Sequence, residues 1–338
     1  MVEGRGHPWR EHSGGGSLPL SDQSMNAPTR QCAPRRWRDW LGSYAFVLPN
    51  LLGFLVFTLL PVGAALLLSF YRWDVVRPID TAEFVGLENF QRLLGVHEVD
   101  GVLAPRDERF WQYLYNTIYL MLGIPIGMAG SLFLAMLMSQ KLPGMVAGRS
   151  VYFLPSILPA VPICLLWQWL LNTQWGLINA FLRSTVGIGP AWLDNPALTK
   201  PAFIIMGIWG GVGGYNCLLY LAGLQGIPRD LYEAAELDGA GWWGKLRHVT
   251  LPLLGPTTFF ITIMSIIGGF QGGFSQAFLI TQGGPAGSTT TLMYFIYQNA
   301  FEWFRMGYAA AIAWVLFLLV FGFTLVTYKH GGKRVQTL

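Results

Sequence analysis

Five histidines, three cysteines and a scatter of carboxylates are the groups in this 338-residue sequence able to support covalent or metal chemistry. His7, His12, His97, His248 and His330 all fall in tails or loops, and none has a partner spaced for a metal site or an acid–base pair. Cys32, Cys164 and Cys217 have no metal-ligand spacing; the last two sit in apolar runs, where Cys behaves as a small hydrophobe. No Gly-x-x-x-x-Gly-Lys-Ser/Thr loop is present for binding ATP, and no basic-aromatic patch for nucleic acid. The expected sets of catalytic and metal-binding residues are therefore empty. What remains is a group of uncharged polar residues inside apolar runs: Ser156, Tyr215, Asn216, Gln271, Ser275 and Gln276. Around them stand Gly211, Gly213, Gly214, Gly268, Gly269, Gly272 and Gly273.

The elements that must hold these residues are membrane helices. A mean hydropathy of +0.42 with only 12% charged residues lies outside soluble composition. Charge-free runs predict six spans, at about 43–70, 114–138, 151–171, 201–223, 255–280 and 306–328, each offering the roughly 20 residues a helix needs to cross a bilayer. The runs are continuous and do not alternate, which favours helices over a barrel and predicts an all-α polytopic membrane protein. Lys and Arg next to span ends (Arg35, Arg36, Arg38, Lys141, Arg149, Arg229, Lys245, Arg247, Lys329, Lys333, Arg334) place both termini in the cytoplasm. The first run follows a polar tail and carries no small-residue cleavage site, so it is expected to stay as an anchor. Residues 1–40 read as a disordered tail, with Met25 as a second candidate start, 41–330 as the membrane domain and 331–338 as a short cytoplasmic tail. Arg35, Arg36 and Arg38 suit anionic lipid headgroups as well as anchoring of the first span. The outer loop 72–112 contains a short amphipathic helix over 85–92, expected to lie on the membrane face. Pro155, Pro159 and Pro162 invite a kink in the third span. In a bilayer a polar side chain faces a partner or a water-filled path, and small residues let helices approach closely. Packing accounts for any one of these positions; two Gly-rich clusters together suit interrupted helices at a mid-membrane site.

Between the fourth and fifth runs, residues 224–254 form a loop with a charged, helix-prone island. Glu233, Ala234, Ala235 and Glu236 favour helix, and Gly239 with Gly241 ends it. The order Glu233-Ala234-Ala235, Asp238-Gly239-Ala240 and Leu251-Pro252 resembles the EAA loop of binding-protein-dependent ABC importer permeases. Phe70–Asp74, Phe84–Phe90, Asn172–Asn179 and Thr281–Pro285 are similar to stretches of the carbohydrate-uptake branch of that family, the maltose and glycerol-phosphate type. The resemblance covers nearly everything after residue 42. It implies the type I importer permease fold and a place in a bacterial inner membrane. It also implies a second homologous permease, a cytoplasmic ABC ATPase dimer that carries the ATP and Mg, and an extracytoplasmic solute-binding protein. Glu233, Ala234, Ala235, Asp238 and Gly239 would form the coupling helix seated in the ATPase.

The same resemblance places solute contacts in spans three to five, in the regions matching Ser156 to Ala160, Val212 to Tyr215, and Gly269 to Gly273, and the candidate path is completed from the residues themselves by Asn216 and Phe274, alongside Ser156, Tyr215, Phe270 and Gln271. Hydroxyl, amide and aromatic groups without charge suit a sugar, whose hydroxyls need donors and acceptors and whose C–H faces stack on rings. At Phe270, Gly272 and Gly273 the amides of some sugar permeases are missing, which leaves specificity open and gives the partner permease a larger share. Glycerol 3-phosphate is the alternative solute and would need a cation near the path, where spans three to five show no Lys or Arg. A membrane-embedded transferase would need a His, Asp or Glu that the interior spans lack, and a secondary carrier would need intramembrane acids.

Overall fold

The computed structural model describes residues 37–99, 102–140 and 145–335. The expected tail 1–36, with Met25 and Cys32, lies outside these residues, as do Lys141 and positions 336–338. Residues 37–40, expected to belong to the tail, are already helical, and the last helix runs to Val335. The chain divides into two units, 1–57 and 58–338. The first holds α1 (Trp37–Phe54), which carries Pro49, and the division falls within the π-helical turn Leu55–Leu59 that follows it.

The second unit opens with α2 (Leu60–Leu68). Then come β1 (Tyr71–Arg72) paired with β2 (Glu83–Phe84), α3 (Glu88–Leu94), and β3 (Val96–Val99) paired with β4 (Val102–Pro105), both pairs antiparallel. Alternation too short to register in the sequence produces these strands. Arg72 holds Glu83 and Glu88, and Asn89 donates to the carbonyls of Ser69 and Tyr71 at 2.9 and 3.0 Å, so the hairpin and helix are tied to the end of α2. The amphipathic helix expected over 85–92 starts three residues later, at Glu88. Its Asn89 and Leu93 are buried and it packs on the final helix, so protein and not lipid covers that face.

Five helical stretches are long and apolar enough to span a bilayer: Tyr44–Leu68, Glu108–Ser139, Pro196–Gln225, Gly255–Thr281 and Met306–Lys329. The second begins in α4 (Glu108–Leu120), capped by the Asp107 carboxylate, which accepts from the Arg109 and Phe110 amides at 3.1 and 3.3 Å, and continues as α5 (Gly123–Ser139). The third expected span, 151–171, is instead two helices, α6 (Met145–Ile157) and α7 (Ala160–Leu170), whose axes differ by 111° over Val151–Leu170. Pro159 is the cause: it sits in extended geometry at φ −60°, ψ 151°, and a proline also keeps the residue before it out of αR. Counted as one broken span, this pair makes six.

After α8 (Leu177–Thr185), the fourth span is α9 (Pro196–Val212) and α10 (Tyr215–Gln225). Asn195 caps α9 through the Ala197 amide at 3.0 Å, and Pro196 fits the first turn. Lys200 therefore lies inside this span, correcting the expectation that spans three to five hold no cation. Its ammonium rests over the rings of Tyr115 and Tyr119, at 4.7 and 5.4 Å. The loop helices α11 (Arg229–Leu237), α12 (Trp242–Lys245) and α13 (Leu251–Leu253) lead to α14 (Gly255–Gln271) and α15 (Phe274–Gln276) of the fifth span. Last come α16 (Leu292–Tyr297) and α17 (Met306–Val335).

The helix α5 is the middle of the bundle, packing on both α9 and α10, while α14 packs on α17. In lipid, helices associate by close packing and not by hydrophobic expulsion, so small residues sit where backbones meet. At Gly130 an added Cβ would come within 2.7 Å of Val212, and the Ser131 hydroxyl donates to the Gly211 carbonyl at 3.0 Å. Three buried clusters fill the remaining space: Phe110, Phe270, Phe295 and Ile312; Leu134, Tyr220, Leu254 and Ile261; Trp167, Phe203, Met206 and Ile280.

Candidate functional site

The loop helix α11 is a solvent-facing rod with a locked end. Pro228 precedes it and Asp230 lies in its first turn, where the helix dipole favours a negative charge. At the other end Asp238 is the C-cap and Gly239 turns left-handed at φ +79°. The Gly239 amide donates to the Glu236 carbonyl at 3.0 Å and the Ala240 amide to the Ala235 carbonyl at 2.9 Å, the paired bonds of a Schellman ending. Lys245 of α12 donates to Glu236 at 2.6 Å, and Tyr232 shares a 3.0 Å hydrogen bond with Thr250. These bonds fix α11 against the turn that leads into α14.

No residue of α11 is buried. Glu233 and Ala234 are exposed, Leu237 is 90% exposed, and Trp242 and Trp243 stand beside the helix with most of their rings open. Among the described residues Glu233 makes no hydrogen bond or ion pair; the acid that fastens the loop is Glu236, which the sequence marked only as a helix former. The surface left open thus mixes carboxylates, among them Asp230 and Glu233, with small alanines and large apolar side chains, a combination suited to a protein partner.

The two Gly-rich clusters are breaks in the fourth and fifth spans. Between α9 and α10, Gly213 lies against α6 so closely that a Cβ would fall on the Tyr152 carbonyl oxygen, and a Cβ on Gly214 would sit 3.6 Å from that of Ser156. Ser156 is thereby brought to the break, with its hydroxyl turned back to donate to the Phe153 carbonyl at 2.7 Å. Tyr215 follows at 64% exposure, and Ala160 is exposed at the start of α7. Between α14 and α15, Gly272 is extended and Gly273 left-handed at φ +78°.

A cavity of about 280 Å3 opens at this second break, lined by Gly268, Gly269, Gly272, Gly273, Gln276 and Thr291 among others. A smaller one of about 140 Å3, lined by Asn216, Gly211 and Ser265, shares Leu120, Ile124 and Gly207 with it. The structure thus gathers Gly269 and Gly273 at one cavity and Asn216 at its neighbour. Gln271 is exposed, and Phe274 is half-buried and stacked on Phe278. Phe270 departs from the set: it is 1% exposed, with its ring 5.3 Å from Phe323 in the first core cluster, where it meets protein only.

No element is expected from the sequence in the segment between the fifth and sixth spans, residues 282–305. Asn116 of α4 reaches across to donate to the carbonyls of Gly287 and Thr290 at 2.8 and 2.9 Å, and the Leu292 amide donates to Thr117 at 3.0 Å. Thr289, Thr290 and Thr291 are buried, and Thr291 caps α16. The run of three threonines before an apolar stretch was the available signal for that cap.

Residues 123–330, which contain both breaks and the α11 loop, match the family model of the binding-protein-dependent transport system inner membrane component. The chain belongs to that family. Among its relatives, the probable ABC transporter permease protein YesP of Bacillus subtilis is 35% identical over 88% of this chain and 93% of its own length. The sn-glycerol-3-phosphate transport system permease protein UgpA of Yersinia enterocolitica is also 35% identical, over 88% and 96%. The trehalose/maltose transport system permease protein MalF of Thermococcus litoralis is 33% identical over the same shares. A solved bacterial ABC transporter involved in import of the acidic polysaccharide alginate superposes with a TM-score of 0.74 at 23% identity, over 88% of this chain and 96% of that one, which shows a shared fold. The helical spans, the breaks and the exposed loop helix are therefore those of an ABC importer permease.

Proposed function

We propose that this chain is the permease subunit of an ATP-driven importer that moves a sugar across a bacterial inner membrane by alternating access. The observation that carries the reading is α11: a short helix, capped by Gly239, unburied, and joined at both ends to interrupted spans. A rigid rod of this kind, seated in a cytoplasmic ATPase dimer that binds ATP and Mg, passes the closure of that dimer into the fourth and fifth spans. Both termini then lie in the cytoplasm, a second homologous permease completes the path, and a solute-binding protein delivers the cargo from outside. Uncharged groups at the breaks, Ser156, Tyr215, Asn216, Gln271 and Phe274, support a neutral carbohydrate as solute. The likeness to a glycerol-phosphate permease supports a second reading, a phosphorylated polyol, for which Lys200, the one Lys or Arg within the third to fifth spans, is already engaged by two tyrosine rings.

Deleting the chain from its host and measuring uptake of labelled neutral sugars and of sn-glycerol 3-phosphate tests this. Loss of uptake of a neutral sugar is expected. Loss of sn-glycerol 3-phosphate uptake alone would favour the second reading, and unchanged uptake of every solute would contradict both.

A further inference from the structure

Beyond the break at Gly272 and Gly273 a train of aromatic rings leads away from the cavities already described. Phe274 stacks on Phe278 at 5.6 Å with planes 7° apart, and Phe278 meets the edges of Tyr294 and Tyr297 at 5.9 and 5.4 Å. Tyr297 in turn lies 5.3 Å from Phe301. The train runs from the short helix α15 to α16 and the π-helical turn Gln298–Glu302 that follows it, so two elements distant in sequence build one surface. Beside it is a separate cavity of about 500 Å3 lined by Phe278, Leu279, Gln282, Tyr294, Gln298 and Glu302. That volume lies within the ~300–1,000 Å3 typical of small-molecule pockets.

We propose that this cavity, separate from the one lined by Asn216, is a second solute subsite and that it takes an uncharged saccharide. The inference rests on the importer reading and deepens it. Aromatic faces bind the C–H faces of a sugar ring, while the amides of Gln282 and Gln298 both donate and accept, matching hydroxyls that do the same. Glu302 adds a pure acceptor. It is the ionisable acid of the lining, and among the described residues no Lys or Arg lines the cavity, so a phosphate or uronate entering here meets a carboxylate with no cation to offset it. The Tyr294 phenol, held above the ordinary tyrosine range first by burial and then by the Glu302 carboxylate, stays an O–H donor next to the pocket. Phe274, which follows Gly273 in the chain, stacks on Phe278 of this cavity's lining.

The test uses the whole complex, with the second permease, ATPase and binding protein, in proteoliposomes, and a panel of glucose, maltose, trehalose, sn-glycerol 3-phosphate and digalacturonate. At saturating loaded binding protein, Phe278→Ala and Tyr297→Ala should each lower uptake of the transported neutral sugar about tenfold. Stimulated ATP hydrolysis should stay within about twofold, so that more ATP is spent per solute moved. Phe278→Tyr and Tyr297→Phe should restore uptake, and Glu302→Gln should leave the preference for neutral over anionic solutes weaker. A merely structural role would lower hydrolysis and uptake together, or strip the second permease from the complex on purification, and either result overturns the subsite. Transport of an anionic member alone, or unchanged neutral uptake in both alanine variants, overturns it while leaving the importer reading intact. No transport of any member by the wild-type complex would instead count against the importer reading on which the subsite rests.

Discussion

Phe270 and Gln271 are adjacent and do opposite things. Phe270 is enclosed by α17 and α4 side chains, so Phe270→Ala opens a hole in the first core cluster; losses of about 3–5 kcal/mol are typical of buried Phe→Ala changes, and membrane abundance should fall with transport. Gln271 is exposed at the last turn of α14, next to the break. Gln271→Ala should keep full abundance and lower uptake severalfold. Quantitative immunoblots set against uptake rates separate the two: normal transport kinetics in Gln271→Ala would assign that side chain to no solute contact. The sequence placed both residues beside a helix interruption, because a Gly-rich stretch with aromatic and amide neighbours is visible in composition. It could not say which faced inward, since a helix that turns at Gly272 and Gly273 no longer keeps one 3.6-residue register across the break.

At the scale of elements, the close pass of α6 over the break in the fourth span is the contact most sensitive to a single methyl group. Gly213 has ordinary negative φ, and what forbids a side chain there is the Tyr152 carbonyl directly above it. Gly213→Val should force α6 away from the break, and a cysteine pair at Ser156 and Gly214, whose Cβ atoms would be 3.6 Å apart, should lose its cross-linking in that background. Cross-linking at the unmodified rate would mean that α6 packs elsewhere. Where charge-free length sets a helix it was legible, and the ends of the fifth and sixth spans agree with expectation to within a residue or so, whereas the second and fourth spans begin six and five residues earlier, taking in Arg109 and Lys200. The 111° bend in the third was only half legible. Three prolines signalled a kink, yet which of Pro155, Pro159 and Pro162 leaves αR depends on what α6 packs against. The segment 282–305 was hidden for a different reason: its order comes from Asn116 and Thr117, about 170 residues earlier, and local pattern carries no trace of such pairings.

For the whole molecule, the spans, their breaks and the exposed α11 make one mechanical train: a helix outside the bilayer, held by Glu236, Lys245, Tyr232 and Thr250, leads directly into spans that are interrupted at their centres. Gly239 is where the train is most easily cut. Its φ of +79° is a conformation that costs an ordinary residue roughly 1–2 kcal/mol, and an Asp there adds a charge at the helix C-terminus, where the dipole disfavours it. Nothing lies within 4 Å of the position, so the harm is confined to the shape of the loop and does not reach the core. Glu233→Lys reverses an exposed carboxylate of α11 without touching the Glu236–Lys245 bond. The measurement that tests the account most directly is co-purification of the ATPase with Gly239→Asp and Glu233→Lys variants, paired with solute uptake by intact cells. Both variants should insert at wild-type abundance yet lose transport by at least tenfold, with the ATPase released or hydrolysing ATP without import. Wild-type uptake in both, with the ATPase firmly bound, would contradict the assignment of α11 as the coupling helix.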